Sequence, residues 1–304
     1  MTAFVFPGQG AQAVGMGVAC AEASAAARTA FAVASEASGL DLLELCRHGP
    51  AERLAETEIT QPAILAASAA VMAMLREAGL APDAVAGLSL GEYTALVAAG
   101  AMDLGTAAAL VRRRGRYMQE AVPLGAGAMA AILGLERQRV EQICGETPGV
   151  VTPANYNCPG QTVISGEAAA VERAAAACRS AGARRATVLP VSAPFHCPLM
   201  APAAERLAQD LTRARIARAE LPVVCNVDAS VVTEPDAIRN ALLKQVDRSV
   251  RWEDGVRTLL GMGCDTFVEV GPGSALTAFL KRIEPEARGI SCATPQDVTS
   301  LAAA

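Results

Sequence analysis

Gly87-Leu88-Ser89-Leu90-Gly91 reads G-x-S-x-G, a pattern that sets a serine on a sharp strand-to-helix turn with its hydroxyl exposed. Its flanks fit that geometry. Ala84-Val85-Ala86 is a short apolar run suited to a buried strand, and Leu90 to Ala99 is rich in helix formers. The glycines have a steric purpose, because so tight a turn leaves no room for side chains pressed against neighbouring backbone.

A serine nucleophile needs a base, and the chain holds only two histidines, His48 and His196. His48 lies in the polar turn Arg47-His48-Gly49-Pro50, which reads as a surface turn. His196 follows the apolar run Ala186 to Pro190, in a loop held by Pro194 and Pro198. A packing role is the plain reading of a loop histidine. The serine tips the reading to a base. Cys197 beside it suggests a Cys–His pair, but sequence neighbours on an extended loop point apart.

The 304 residues allow one large domain or two modest ones. Apolar residues make up 52% of the chain and aromatics only 3%, so alanine, valine and leucine must build the core. That suits helices packed on a buried sheet and excludes disorder. A formal charge of −5 argues against nucleic acid as partner. Nine cysteines without a C-x-x-C pair or a metal-ligand pattern read as free thiols of a reducing compartment. Met1-Thr2-Ala3-Phe4 does not begin a secretory leader, and charges interrupt the apolar stretches before they could span a membrane. A cytoplasmic protein with no metal is the expectation.

Ala3 to Phe6 predicts a strand that ends at Pro7-Gly8-Gln9-Gly10. Helices are predicted over Ala21–Ser38, over Gln61–Ala78 with Thr60 as N-cap, and over Leu104–Glu120. This alternation points to a parallel sheet with helices on both faces. After Gly125-Ala126-Gly127 the order changes. Strands at Ala128–Leu133, Val150–Asn155, Gln161–Ser165 and Ala186–Leu189, with helices at Glu136–Cys144 and Ala168–Ala181, spell βαββαβ, the ferredoxin-like unit. Helices at Pro202–Arg213, Ile238–Gln245 and Val250–Leu260 follow, then a buried strand Thr266–Val270 and a helix capped by Ser274. The expected fold class is α/β: a large α/β-hydrolase-like domain with a parallel sheet and a nucleophile elbow (residues 1–124 and 192–304), carrying an inserted ferredoxin-like subdomain (residues 125–191). A ligand cleft is expected between them.

Phe6-Pro7-Gly8-Gln9-Gly10, Thr60-Gln61-Pro62, the elbow through Glu92-Tyr93, Arg114-Gly115-Arg116-Tyr117-Met118-Gln119, Asn155-Tyr156-Asn157, Ser192-Ala193-Pro194-Phe195-His196 and Glu269-Val270-Gly271-Pro272-Gly273 occur in one order along the chain. In that order and spacing they resemble the malonyl-CoA:acyl carrier protein transacylases, across essentially the whole sequence. The resemblance implies malonyl transfer from malonyl-CoA to the phosphopantetheine thiol of acyl carrier protein, supplying fatty-acid synthesis through a malonyl-serine. Ser89 would be the nucleophile and His196 the base. Backbone amides of Gln9 and Leu90 would form the oxyanion hole. Arg114 would bind the malonyl carboxylate with its planar fork, where the Arg112-Arg113-Arg114 run alone reads as a solvated face. Gln61 would line the acyl pocket. Phe195 would crowd an α-methyl branch, a contact worth ~1–3 kcal/mol. Gly115 would admit close approach of the elbow helix or ligand. No permanently bound cofactor is implied, the pantetheine arm belongs to the partner protein, and a monomer is expected. Lys281-Arg282 and Arg116 are candidate docking residues for the acidic carrier protein.

Two departures from the family pattern stand out. Leu88 occupies a position that is most often histidine. Val246-Asp247-Arg248-Ser249 precedes Val250-Arg251-Trp252 where a small polar residue and proline are usual in place of Arg248 and Ser249. A backbone carbonyl from that loop would orient His196, with Asp247 as the alternative third member. Glu92 reads as a first-turn acid supporting its helix. Three further readings share these residues: an acyltransferase of a polyketide pathway, a serine thioester hydrolase, which has no use for a buried Arg114, and a non-enzymatic docking subunit.

Overall fold

The computed structural model describes residues 1–191 and 193–303; Ser192, where the expected large domain resumes, lies outside them. Among the described residues the strands are β1 (Thr2–Phe6), β2 (Ala84–Gly87), β3 (Gly127–Leu133), β4 (Val151–Cys158), β5 (Gln161–Glu167), β6 (Arg185–Val188), β7 (Val223–Val224), β8 (Val231–Val232), β9 (Thr266–Val270) and β10 (Arg288–Cys292). The helices are α1 (Val18–Ala23), α2 (Ala25–Ser38), α3 (Leu42–His48), α4 (Ala51–Leu54), α5 (Thr57–Glu77), α6 (Gly91–Ala98), α7 (Leu104–Glu120), α8 (Arg137–Glu146), α9 (Ala168–Ser180), α10 (Ala201–Arg213), α11 (Pro235–Gln245), α12 (Trp252–Gly261), α13 (Ala275–Ile283) and α14 (Pro295–Ala302).

Successive side chains of a strand point to opposite faces, and here both faces are apolar. Phe4, Phe6, Val85, Val223 and Val268 pack against Phe31, Ile64, Leu75 and Val111 on one side. Ala3, Val5, Ala84, Ala86, Val224 and Phe267 pack against Trp252, Val256, Leu276 and Leu280 on the other. The resulting sheet has the order β10-β9-β1-β2-β7-β8. It is parallel except at its edge, where the short β8 runs antiparallel to β7. The sequence pattern announced neither of those two-residue strands, nor β10.

The second sheet has the order β4-β5-β3-β6, antiparallel throughout, which is the ferredoxin-like arrangement. Helices α8 and α9 close one of its faces through Val140, Ile143, Val171 and Ala174. The sheet is tied by backbone bonds to the loop between α11 and α12. Val250 N donates to the Ala154 carbonyl at 2.8 Å, and Tyr156 N to the Val250 carbonyl at 2.9 Å. Ser249 Oγ adds a bond to the Pro153 carbonyl.

Local details depart from expectation for definite reasons. The helix foreseen over Ala21–Ser38 is interrupted at Ser24, whose extended backbone lets its hydroxyl oxygen cap α2 at the Ala27 amide. Thr60 is not an N-cap. Helix α5 begins three residues earlier, Thr60 is buried within it, and its hydroxyl donates to the Leu54 carbonyl. Ser274 makes no side-chain cap for α13; the buried Glu269 carboxylate accepts from the Leu276 and Thr277 amides instead. Helix α5 is also long and apolar enough to cross a membrane, against the expectation of charge-broken stretches, but 83% of its most apolar window is buried inside the protein, as in a core helix.

Gly115 serves neither the elbow helix nor the ligand directly. A Cβ there would lie 2.6 Å from the Thr57 carbonyl oxygen and 2.8 Å from Glu58 Cα, so the glycine lets α7 lie against α5. Both obstacles are backbone and cannot rotate aside. Gly115→Ala is therefore expected to lower unfolding free energy by about 1–3 kcal/mol, read from the midpoint of a denaturant titration at unchanged slope.

Candidate active site

The turn between β2 and α6 places Ser89 in the left-handed region, at φ 53°. A Cβ on Gly87 would meet the Gly91 carbonyl at 2.0 Å, and one on Gly91 would meet the Phe6 oxygen at 2.1 Å, so both glycines are sterically required. Left-handed serine costs on the order of 1–3 kcal/mol and persists only where neighbours fix it. Asn226 Oδ1 accepts from Ser89 N at 2.6 Å, Asn226 Nδ2 donates to the Gly87 carbonyl at 2.7 Å, and Gln245 Nε2 donates to the Ser89 carbonyl at 2.9 Å.

His196 also has a positive φ, 57°, which turns its ring toward the serine. Its Nε2 lies 2.7 Å from Ser89 Oγ and its Nδ1 2.7 Å from the Gln245 carbonyl oxygen. A carbonyl can only accept, so Nδ1 carries the proton and Nε2 presents a lone pair to the serine hydroxyl. Burial, reinforced by the Arg114 charge, lowers the His196 pKa to about 3, while the Gln245 carbonyl opposes the shift. The imidazole is therefore neutral and able to accept a proton.

Arg114, on α7, is fully buried. Its Nη1 donates to Gln61 Oε1 at 2.8 Å. Its Nη2 donates to Gln245 Oε1 at 2.8 Å and to Ser89 Oγ at 3.0 Å. Among the described residues it forms no ion pair. Glu92, the acid whose charge it feels, reaches it only across the Gln245 amide. Burial lifts the Glu92 pKa to about 7 against the opposing hydrogen bonds from Gln245 and Asn226.

All seven residues singled out in the sequence border one cavity of about 270 Å³: Gln9, Gln61, Ser89, Leu90, Arg114, Phe195 and His196. Leu88 lines it too, and Asn155 and Asn157 reach it from β4. A Cβ on Gly8 would lie 2.4 Å from the Leu88 oxygen, so this glycine lets the Gln9 loop rest on the elbow. Among the described residues the amides of Gln9 and Leu90 have no hydrogen-bond partner, which leaves two donors at the cavity wall. A hydroxyl between a neutral imidazole and a cation, beside free amides, is equipped to attack a carbonyl and to stabilise the resulting anion.

Other candidates lie apart. His48 is exposed and sits beside Glu44. The Cys197 thiol donates to the Pro194 carbonyl, and burial raises its pKa. Asp247 approaches Arg248, and the carbonyl that orients His196 comes from Gln245, just before the anticipated loop. Gln245 and Asn226 went unnoticed in the sequence, and Glu92 is no simple helix-end acid, because its carboxylate is taken by those two residues. Asn226 follows the C-terminal end of parallel strand β7, the edge where α/β sites gather, and that rule could have flagged it. Gln245 ends an amphipathic helix and carries no such signal.

Residues 3–295 match the acyl transferase domain family. The malonyl CoA-acyl carrier protein transacylase of Escherichia coli (strain K12) is 50% identical over 284 residues, 92% of each chain. The crystal structure of an acyl carrier protein S-malonyltransferase from Vibrio cholerae superposes with a TM-score of 0.96 at 45% identity over 99% of both chains. A malonyl-transacylase solved in complex with a type II PKS acyl-carrier protein gives 0.96 at 44% identity over 98% of both.

The lowered His196 pKa makes a kinetic prediction. Because the neutral base is kept down to about pH 3, labelling of Ser89 by a fluorophosphonate should hold its rate from about pH 8 to about pH 5. Glu92→Gln, which lacks the titration near pH 7, serves as the parallel profile. A tenfold fall through the ordinary histidine range near pH 6.5, in both proteins, would contradict it.

Proposed function

The chain belongs to the acyl transferase family, and from that premise we propose that it moves a malonyl group from malonyl-CoA to the phosphopantetheine thiol of acyl carrier protein, through a malonyl ester on Ser89. One observation carries the assignment of substrate. Arg114 is a buried guanidinium 3.0 Å from the nucleophile, with no ion pair among the described residues, and so it can receive a carboxylate on the acyl group.

In this reading Ser89 Oγ attacks the thioester carbonyl while His196 Nε2 takes its proton. The oxyanion of the tetrahedral intermediate meets the Gln9 and Leu90 amides. Collapse breaks the carbon–sulfur bond, and His196 returns the proton to the departing coenzyme A thiolate. The pantetheine thiol then enters, gives its proton to His196 and attacks the ester carbonyl; Ser89 Oγ leaves and recovers the proton. Once Ser89 is acylated its Oγ is an ester oxygen and a weaker acceptor, and Arg114 can turn Nη2 toward the malonyl carboxylate. Gln61 supports that fork from the Nη1 side. Phe195 narrows the cavity beside the histidine. Cytoplasmic fatty-acid synthesis, with the chain acting as a monomer, is the setting we propose. Arg282 and Lys281 are exposed on α13, one turn from the cavity residue Phe279, and suit an acidic carrier protein. The hydrolase reading shares Ser89 and His196 but has no role for Arg114.

Intact-mass measurement after mixing with malonyl-CoA should give one malonyl adduct, absent in Ser89→Ala, and holo acyl carrier protein should discharge it. Arg114→Ala should lower kcat/KM for malonyl acylation by about 10–100-fold, the worth of a charge-assisted pair, and affect acetyl-CoA much less. Steady release of free malonate without an adduct would favour the hydrolase.

A further inference from the structure

The groups that would touch substrate leave a buried acid beside them unused. Glu92 sits in the first turn of α6, 2% exposed, and does not border the cavity. It does not cap its own helix either. Its Oε2 accepts from Gln245 Nε2 at 2.7 Å and from Asn226 N at 3.0 Å. Those two residues hold everything else in place: Asn226 fixes both ends of the Gly87–Ser89 turn, while Gln245 bonds the Ser89 carbonyl, Arg114 and His196.

A side-chain amide is nearly symmetric in shape and can sit in two orientations that exchange its oxygen and nitrogen. For Gln245 only one orientation is tolerable. Glu92 Oε2 and the Ser89 carbonyl both accept here, so the NH2 end must face them. The oxygen is then left to face the Arg114 guanidinium, which only donates. The flipped amide would set oxygen against the Glu92 carboxylate and the Ser89 carbonyl and NH2 against guanidinium, three repulsive contacts in a buried site. We propose that Glu92 is a positioning residue that, together with the Ser89 carbonyl, holds the Gln245 amide in one orientation and thereby aims the Arg114 fork at the acyl carboxylate. Glu92 acts on selectivity without touching substrate, and Gln245 relays its effect.

The inference rests on the malonyl-transfer reading, and one kinetic comparison separates the two. Acylation of Ser89 by malonyl-CoA and by acetyl-CoA is measured for the wild type, Glu92→Gln, Glu92→Ala, Gln245→Ala and the Glu92→Gln/Gln245→Ala double variant. Glutamine at position 92 is nearly isosteric and should fold, but it presents either an acceptor or a donor and loosens the hold on the amide. The malonyl-to-acetyl ratio of kcat/KM should fall about tenfold in Glu92→Gln, chiefly through a higher KM for malonyl-CoA, and at least as far in Glu92→Ala and Gln245→Ala. Without the Gln245 amide, the Glu92 substitution should change the ratio less than twofold, since effects passed through a shared partner do not add. A ratio within twofold of wild type in Glu92→Gln, or an equal loss with and without the Gln245 side chain, overturns the inference alone. A wild type that takes no malonyl group at all overturns the functional reading and this inference with it.

Discussion

A single residue held in an unfavourable backbone state organises the site. Ser89 lies in left-handed space because β2 must end and α6 must begin within three residues. The turn is only possible because Gly87 and Gly91 let two backbones approach closer than any side chain permits. Its cost is offset by hydrogen bonds from Asn226 and Gln245, residues that arrive from distant parts of the chain. The serine is therefore exposed to the cavity by the same contacts that close the core beneath it. His196 repeats the device from the opposite wall, with its own positive φ.

Electrostatics divides the site into two levels. At the cavity, a cation and a neutral base flank the hydroxyl, and the first sustains the second, because the Arg114 charge helps to keep His196 unprotonated. Below them lies Glu92, raised by burial yet restrained by three groups that favour its charge. The Arg114 charge is not cancelled by direct contact. An amide stands between acid and base, so the guanidinium stays available to a ligand while the interior avoids a lone cation.

Much of this was legible in the sequence. The elbow could be read because its glycines and its flanking apolar run are local requirements. The helix Leu104–Glu120 and the strand Thr266–Val270 fell where periodicity put them. The βαββαβ order survived as a sheet, since alternation and turn residues are local too. What escaped was set by long-range partners. Thr60 looks like a cap but is a buried helix residue whose hydroxyl finds a carbonyl outside the helix. Ser274 looks like a cap but yields to Glu269 from the preceding strand. Arg114 sits in a run of three arginines, and only resemblance distinguished the buried one from its neighbours. Gln245 has no local mark, because its value depends on residues met only in three dimensions.

The backbone bonds of Val250 carry a mechanical consequence. The stretch from Gln245 to Val250 presents the His196 acceptor at one end and is stitched to β4 at the other, through Ala154 and Tyr156. The ferredoxin-like sheet also supplies Asn155 and Asn157 to the cavity wall. The small sheet is thus geared to the loop that follows the histidine's acceptor rather than hinged freely. A displacement of the small sheet wide enough to widen the mouth must either unzip those bonds or drag the histidine's anchor with it. While those bonds hold, the width of the cavity mouth and the alignment of the imidazole are readings of the same coordinate.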